Sequence, residues 1–359
     1  MDAILVIGGY GDVGKGAVEE LLKITNSSIV IGGRSEEKGA VFLRNIKNPR
    51  ITFQRIDIYD KESYADKLTN VSLAVMCLGP KNIDFAAYCL ETGIHYVDIS
   101  ASHQTMKALR DLPLAKIRGT GVLGVGICPG LSTLLVKELA TSVDEVIQTE
   151  VSLLLGMEDE YGRDALEWML DNLVYPFYWK IEGSLKKQRP FIEKRRIPFK
   201  KGENLQSAYA FNLADQQIIT NTMRQSNVST FLSLDDSFML STLHLLARAR
   251  FFHLLKYRNL YDAVLNLGSN SALSSKNASS AFSVHVKIKG KKGNQIVQLE
   301  EVLHGKNSSE DTGRIAAYTA SKVLEMKKKT GVYYLNEQFT LEDFSAYFEK
   351  ETRERVTPM

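Results

Sequence analysis

Residues 3–23 constrain the fold more than any other stretch: five apolar residues, Ala3 to Ile7, run through Gly9-Tyr-Gly11-Asp-Val-Gly14 into a helix-like segment. In a Gly-x-Gly-x-x-Gly turn between a strand and a helix, each glycine has its own task. Gly9 permits the tight turn, Gly11 lets the backbone approach a pyrophosphate, and Gly14 lets the helix pack closely on the strand. The helix N-terminus adds free N–H groups and the positive end of the helix dipole, which together favour an anion. Gly9, Tyr10, Gly11, Asp12, Val13 and Gly14 are therefore the expected ligand contacts. The plain alternative is a tight turn that holds nothing.

The context of this turn extends over the first 130 residues. Strand-like runs at 3–7, 28–33, 51–57, 72–79, 95–100 and 121–127 alternate with amphipathic runs, including KESYADKL and HQTMKALRDLPLAKIRG. That alternation predicts an α/β fold, a doubly wound parallel sheet covered by helices on both faces. Pro129-Gly130 ends the pattern. From about 144 the chain reads differently: a strand at 145–155, a helical run DALEWMLDNLVY, and two helical candidates around 214–224 and 237–266. Residues 280–305 read as two strands joined by a turn at Gly290-Lys-Lys-Gly293. A final helix is expected over 310–328. The Ser/Asn-rich stretch 268–280, with a paper glycosylation sequon at Asn277, reads as a loop. The expected division is 1–130, 131–309 as an α+β domain, and 310–359.

The end of the second strand bears on which dinucleotide would fit. A carboxylate about twenty residues past the loop holds a ribose 2′-hydroxyl. Here that position is Arg34, in IGGRSEEK, and no acid ends the strand. A 2′-phosphate would meet the guanidinium of Arg34, the hydroxyl of Ser35 and Lys38 one helical turn on. The expected cofactor is NADPH. Asp57 is placed for the adenine edge, and Cys77-Leu78-Gly79-Pro80 for the nicotinamide ribose.

Bulk properties narrow the remaining classes. Net charge is +3, too small to indicate nucleic acid or membrane as a partner. Three cysteines, Cys77, Cys89 and Cys128, form neither a disulfide framework nor a CxxC pattern and sit in apolar runs, as in a reducing compartment. No stretch of about 18 apolar residues exists and no leader precedes the first strand, so a cytoplasmic location is expected. No His/Asp/Glu grouping has metal-ligand spacing, HExxH and GxSxG are absent, and no metal is expected.

GGYGDVGKG, GGRS, CLGP, AAYCLETGIHYVDIS, VGICPGLSTLLVKELA and DTGRIAAYTASKVLEMKKKTGV together resemble the saccharopine dehydrogenase-like (saccharopine reductase) family. The resemblance covers residues 1–140 and about 310–350. It implies an N-terminal Rossmann domain, a middle substrate and dimerisation domain, hence a homodimer, and C-terminal helices that return to the nucleotide domain. It also implies NAD(P)-dependent hydride transfer at a C–N bond, the reduction of an imine in a biosynthetic intermediate. Reduction of a C=C or C=O bond in a small or carrier-bound molecule, and a non-catalytic NADPH sensor or scaffold, are the alternatives. Cys128 stands where the family's saccharopine-forming enzymes carry an acid before the Pro-Gly, which argues against saccharopine formation itself. Gly130, in the same element, is a further expected cofactor contact.

Hydride transfer needs position, a proton source and a dry pocket. Strand ends in an open α/β sheet supply that place. Asp98 is a candidate orienter or proton relay, with an N-cap as its plain alternative; Tyr96 and Ser100 beside it are candidate substrate contacts. Cys128 and His103 are candidate proton donors, a buried structural thiol and a solvated helix residue being their plain readings. Tyr175, Tyr178 and Trp179 are candidate pocket walls or core, with Lys180 a carboxylate partner. The run 186–201 carries eight basic residues against Glu193 alone. It suits a phosphopantetheinyl carrier, a coenzyme A tail or an acidic protein, or else is a solvated hairpin.

Overall fold

The structure, a computed structural model, describes residues 3–156, 163–200, 202, 204–269, 281–326, 329–345 and 353–356. The chain divides into two units, residues 1–126 with 309–338 and residues 127–308 with 339–359.

The first unit opens with β1 (Ala3–Ile7), α1 (Asp12–Ile24), β2 (Ile29–Gly33), α2 (Glu36–Ile46), β3 (Ile51–Arg55), β4 (Val71–Met76), α3 (Asp84–Thr92), β5 (His95–Asp98), α4 (His103–Arg110) and β6 (Thr120–Leu123). β1 and β2 are buried at every position and β4 at all but one. That is the continuous apolar run expected of central strands covered on both faces. KESYADKL forms two 3-10 turns rather than a helix. α4 stops at Arg110 because Pro113, two residues past its C-cap, cannot continue it.

The second unit continues with α5 (Ser132–Ala140), β7 (Glu145–Leu155), α6 (Arg163–Val174), β8 (Phe177–Ile181), β9 (Ser184–Gln188), β10 (Lys194–Ile197), β11 (Gln206–Ala210), α7 (Asp215–Thr222) and β12 (Val228–Leu234). Then come α8 (Ser237–Arg248), α9 (Arg258–Ser269), β13 (Phe282–Lys292) and β14 (Gln295–Gly305). A seven-stranded mixed sheet has the order β10-β11-β12-β7-β13-β14-β16, β16 being Arg353–Val356. Only β12 and β7 pair in parallel. The 237–266 run is broken by Arg250 in the left-handed region, followed by a 3-10 turn, so it makes two helices. The 280–305 strands join at Gly293-Asn294, with Lys292 opposite Gln295. Gly290 lies inside β13 at a register shift, where a Cβ would sit 2.7 Å from the Glu145 carbonyl oxygen. The turn is later than expected because Gly293, not Gly290, meets positive φ there with open space around it. The loop and sequon at 270–280 lie outside the described residues.

The chain then adds α10 (Ser308–Glu325), β15 (Gly331–Tyr334) and α11 (Leu335–Gln338) to the first unit. Its parallel sheet has the order β15-β6-β5-β4-β1-β2-β3, the doubly wound pattern with a seventh strand beyond β6. α10 crosses α1 where Gly16 faces Glu310 and Gly313 faces Val13, at separations that no Cβ would allow. The segment expected to return whole over 310–359 is divided. Residues 339–359 belong to the second unit, where β16 pairs with β14 and Arg353 binds both Glu301 and Glu138.

Candidate functional site

β1 and α1 are joined by a turn whose shape depends on its glycines. Gly8 has φ +75°, and the Gly11 N–H donates to its carbonyl at 2.9 Å. A Cβ on Gly14 would lie 2.2 Å from that same oxygen and 2.6 Å from the Gly9 Cα, so helix and turn touch backbone to backbone. A Cβ on Gly9 would meet Val6 and Ile31. Gly11 is different: it is exposed, and its Cβ would meet only the Gly8 oxygen, at 3.3 Å. Gly11 is also the N-cap of α1 and no side chain caps the helix, which leaves the N-terminal amides for an incoming anion. A close-approach cradle of this kind fits a pyrophosphate.

At the end of β2 the structure brings Tyr10, Arg34, Ser35 and Lys38 to one place. The Tyr10 ring lies over Gly33, whose Cβ would be 2.5 Å from it, and the Ser35 N–H donates to the phenol oxygen at 3.4 Å. Ser35 Oγ accepts from the Lys38 N–H at 3.2 Å as the N-cap of α2. Its hydroxyl hydrogen is what it has left to offer a phosphate. Arg34 and Lys38 are exposed and form no ion pair among the described residues. Asp57, past the end of β3, is half-buried and accepts from the Tyr59 N–H at 3.1 Å. Cys77 is buried, its N–H bonded to the Ile7 carbonyl at 3.0 Å, while Leu78 and Gly79 are exposed and Pro80 half-buried.

The β5 cluster is closed. Asp98 is wholly buried, accepting from the Tyr96 hydroxyl at 2.9 Å and the Ser100 N–H at 2.5 Å. Burial pushes its carboxyl up to about 6, against the lowering effect of those two donors. The neighbouring Cys77 thiol is pushed up to about 12, by burial first and then by the Asp98 charge. Asp98 does not cap α4; Ser102 does, accepting from the Thr105 N–H at 3.3 Å. His103 opens that helix half-buried. Desolvation, then Lys107, lowers its affinity for a proton, and its Nδ1 has no partner among the described residues. A histidine held neutral is poorly suited to donate a proton near neutrality.

Cys128 and Gly130 lie in the second unit. Gly130 is buried with φ +136°, and its carbonyl accepts from the Thr133 hydroxyl at 2.8 Å. The partly exposed Cys128 thiol is 3.1 Å from Asp215 Oδ2, and the buried Ser132 hydroxyl binds Asp215 Oδ1. Sequence reading passed over Asp215, because an acid opening a helix 87 residues away gives no sign of which thiol it meets.

The aromatic run 175–180 divides by strand alternation. Phe177 and Trp179 are in the core with Phe199 and Phe231, while Tyr178 and Tyr175 are 48% and 58% exposed. Trp179 is therefore no pocket wall. Tyr178 faces solvent beside Lys187, its cross-strand neighbour, and Lys180 is half-exposed opposite Leu185. The described part of the basic stretch makes β9 and the edge strand β10, where charges discourage pairing with another sheet. No group of three metal-ligating side chains occurs among the described residues, and no described helix is long and apolar enough to cross a membrane.

Residues 4–117 match the family of saccharopine dehydrogenase NADP-binding domains. No curated protein sequence matches the chain. Among solved structures, saccharopine dehydrogenase (L-Glu forming) from Saccharomyces cerevisiae superposes with TM-score 0.68 at 12% identity, over 99% of this chain and 100% of that one. The C. glutamicum DAP dehydrogenase in complex with DAP gives 0.52 at 13%, over 96% and 98%. An engineered D-amino acid dehydrogenase bound to NADP+ gives 0.50 at 13%, also over 96% and 98%. These likenesses extend the fold match to nearly the whole chain.

Proposed function

We propose that the protein is an NADPH-dependent oxidoreductase that reduces an imine carbon–nitrogen bond, a reading supported by the match of residues 4–117 to saccharopine dehydrogenase NADP-binding domains. The observation that carries the cofactor half is the glycine turn: exposed Gly11 and an uncapped helix N-terminus stand one strand away from exposed Arg34 and Lys38. When bound there, NADPH supplies a hydride. The amides of the α1 N-terminus would hold the pyrophosphate, Arg34, Lys38 and the Ser35 hydroxyl would hold the 2′-phosphate, and Asp57 would meet the adenine edge. Leu78, Gly79 and Pro80 would line the nicotinamide side.

The substrate half is supported by proteins of the same fold, which include a saccharopine dehydrogenase and an engineered D-amino acid dehydrogenase. A C–N bond to be reduced needs a proton at nitrogen as well as hydride at carbon. Of the three proton carriers expected from sequence, Asp98 is sealed and His103 is disfavoured as a cation, which leaves Cys128. A homodimer, a cytoplasmic location and a small-molecule or carrier-bound substrate complete the reading; sedimentation at several concentrations tests the first. The cofactor assignment is tested by fluorescence titration of the wild type and Arg34→Ala with NADPH and NADH. The variant should bind NADPH about tenfold or more weaker, with NADH unchanged. Equal losses for both dinucleotides would overturn the 2′-phosphate site.

A further inference from the structure

Exposed apolar side chains gather on two consecutive elements of the second unit. The inner side of α8 is set by Leu240 and Ala247, both buried, and by His244, whose Nδ1 lies 2.7 Å from the Phe191 carbonyl oxygen and whose ring stacks on Tyr209. The opposite side carries Phe238, Ser241, Leu245 and Arg248, all exposed, at the three- and four-residue spacing of one helical stripe. Phe238 is 82% exposed and Leu245 63%. The 3-10 turn that follows, Phe251–Lys256, repeats this division with its own period of three. Phe252 and Leu255 are buried, while Phe251, Leu254 and Tyr257 are exposed, Tyr257 at 71%. α8 packs against this turn, so the two stripes are neighbours. A lone exposed leucine is ordinary, but aromatic and aliphatic tips repeated along two adjoining elements mark a contact surface.

The charge around the stripes has one sign. From Ser237 to Tyr261 the sequence holds Arg248, Arg250, Lys256 and Arg258 and no Asp or Glu. Arg258 is paired with Asp262 at 2.9 Å, and Lys256 Nζ lies 5.5 Å from the ring centre of exposed Tyr175. Arg248 and Arg250 are exposed and form no ion pair among the described residues. Arg189, exposed after β9, donates to the Ala247 carbonyl at 2.6 Å, which brings the end of the basic run 186–189 to the same helix. The net charge of +3 for the whole chain conceals this local excess. Two such faces meeting about a twofold axis would set these cations against one another, which disfavours a second copy as the partner. A bilayer with anionic headgroups offers both complements: phosphates for the guanidinium and ammonium groups, and an acyl boundary beneath them for the apolar tips.

We propose that the outer face of α8 and the turn after it form a peripheral docking surface for an anionic phospholipid bilayer. Phe238, Leu245 and Leu254 enter the headgroup boundary, and Arg248, Arg250 and Lys256 bind the lipid phosphates. No described helix is long and apolar enough to cross a membrane, so this attachment is interfacial and weakens with salt. The surface belongs to the second unit and uses none of the residues assigned to NADPH, so it stands or falls apart from the reductase reading.

The full chain is sedimented with sucrose-loaded vesicles of phosphatidylcholine alone, or of phosphatidylcholine and phosphatidylserine in equal parts. Binding should be about tenfold or more tighter to the mixed vesicles and should fall as salt is raised. These two arms need no variant. Phe238→Ser combined with Leu245→Ser should weaken binding to mixed vesicles about tenfold or more. Arg248→Gln combined with Arg250→Gln should weaken it about fivefold for each cation removed. All four positions are exposed, so the variants should melt with the wild type. No pelleting of the wild type with mixed vesicles, equal binding to both vesicle types, or a serine variant that binds within twofold of wild type overturns the proposal. So does a wild-type oligomer that the serine substitutions dissociate, which would make the face a self-contact.

Discussion

Gly11 and Gly14 separate a turn that merely connects β1 to α1 from one built to hold a dinucleotide. Gly14→Ala places a methyl 2.2 Å from the Gly8 oxygen and 2.6 Å from the Gly9 Cα, backbone atoms that cannot swing away. Overpacking of this kind costs about 1–3 kcal/mol. In a unit of roughly 150 residues each kcal/mol lowers Tm by about 2–4 °C. Gly11→Ala places its methyl in the open, with only the Gly8 oxygen at 3.3 Å, and at φ −83° alanine is unstrained. Losing glycine at an N-cap position costs within about 1 kcal/mol, so the ligand-free protein should melt close to wild type. That same methyl stands where a pyrophosphate would approach the helix amides. Displacing one charge-assisted hydrogen bond, about 1.5–3 kcal/mol, raises Kd roughly 10- to 100-fold. The assay is thermal melting without ligand beside NADPH titration of both variants. If Gly11→Ala binds NADPH within twofold of wild type, the turn is not the pyrophosphate cradle.

Other consequences concern the sealed β5 cluster and the second unit. Asp98 is raised from 3.8 to about 6 by burial, so the folded protein holds its proton more tightly than the unfolded chain. Its destabilising effect is absent below about pH 4, grows as pH rises to about 6, and is complete above, at roughly 2–3 kcal/mol. Asp98→Asn should therefore gain on the wild type in urea titrations at pH 7.5 relative to pH 4; equal differences at both pH values would refute the shift. Trp179→Ala should destabilise by about 3–5 kcal/mol while Tyr178→Ala stays within about 0.5 kcal/mol; comparable losses would mean the strand faces are assigned wrongly. Gly293→Ala, with open space but φ +57°, should cost about 1–2 kcal/mol, and Gly290→Ala more, because its Cβ meets the Glu145 backbone. The reverse order by chemical denaturation would return the turn to Gly290.

What the sequence disclosed follows from how local each signal is. The parallel sheet of the first unit was legible because its strands are short apolar runs bounded by glycines, and each βα connection lies within a few dozen residues. Arg34 and Ser35 could be placed at the end of the second strand by counting along one βαβ unit. The second unit was harder. Its sheet orders strands β10 to β16 through pairings over long separations, such as β7 with β13, which periodicity does not encode. β8 and β9 were hidden inside an aromatic and a basic run, although Glu182-Gly183, both at positive φ, make a two-residue hairpin turn. The partner of Cys128 was illegible for the same reason, since Asp215 reaches it only through the packing of α7 on α5.

The most direct test of the central claim is a single-turnover experiment. Protein loaded with one equivalent of NADPH is mixed with pairs of an amine and a 2-oxo acid, and loss of the reduced-nicotinamide absorbance is followed beside the secondary amine formed. The account predicts that at least one pair consumes the bound NADPH in a 1:1 ratio with amine product, and that Cys128→Ala slows this step without weakening NADPH binding. Tight NADPH binding with no oxidation by any imine would contradict it and leave a protein that binds the dinucleotide without using it.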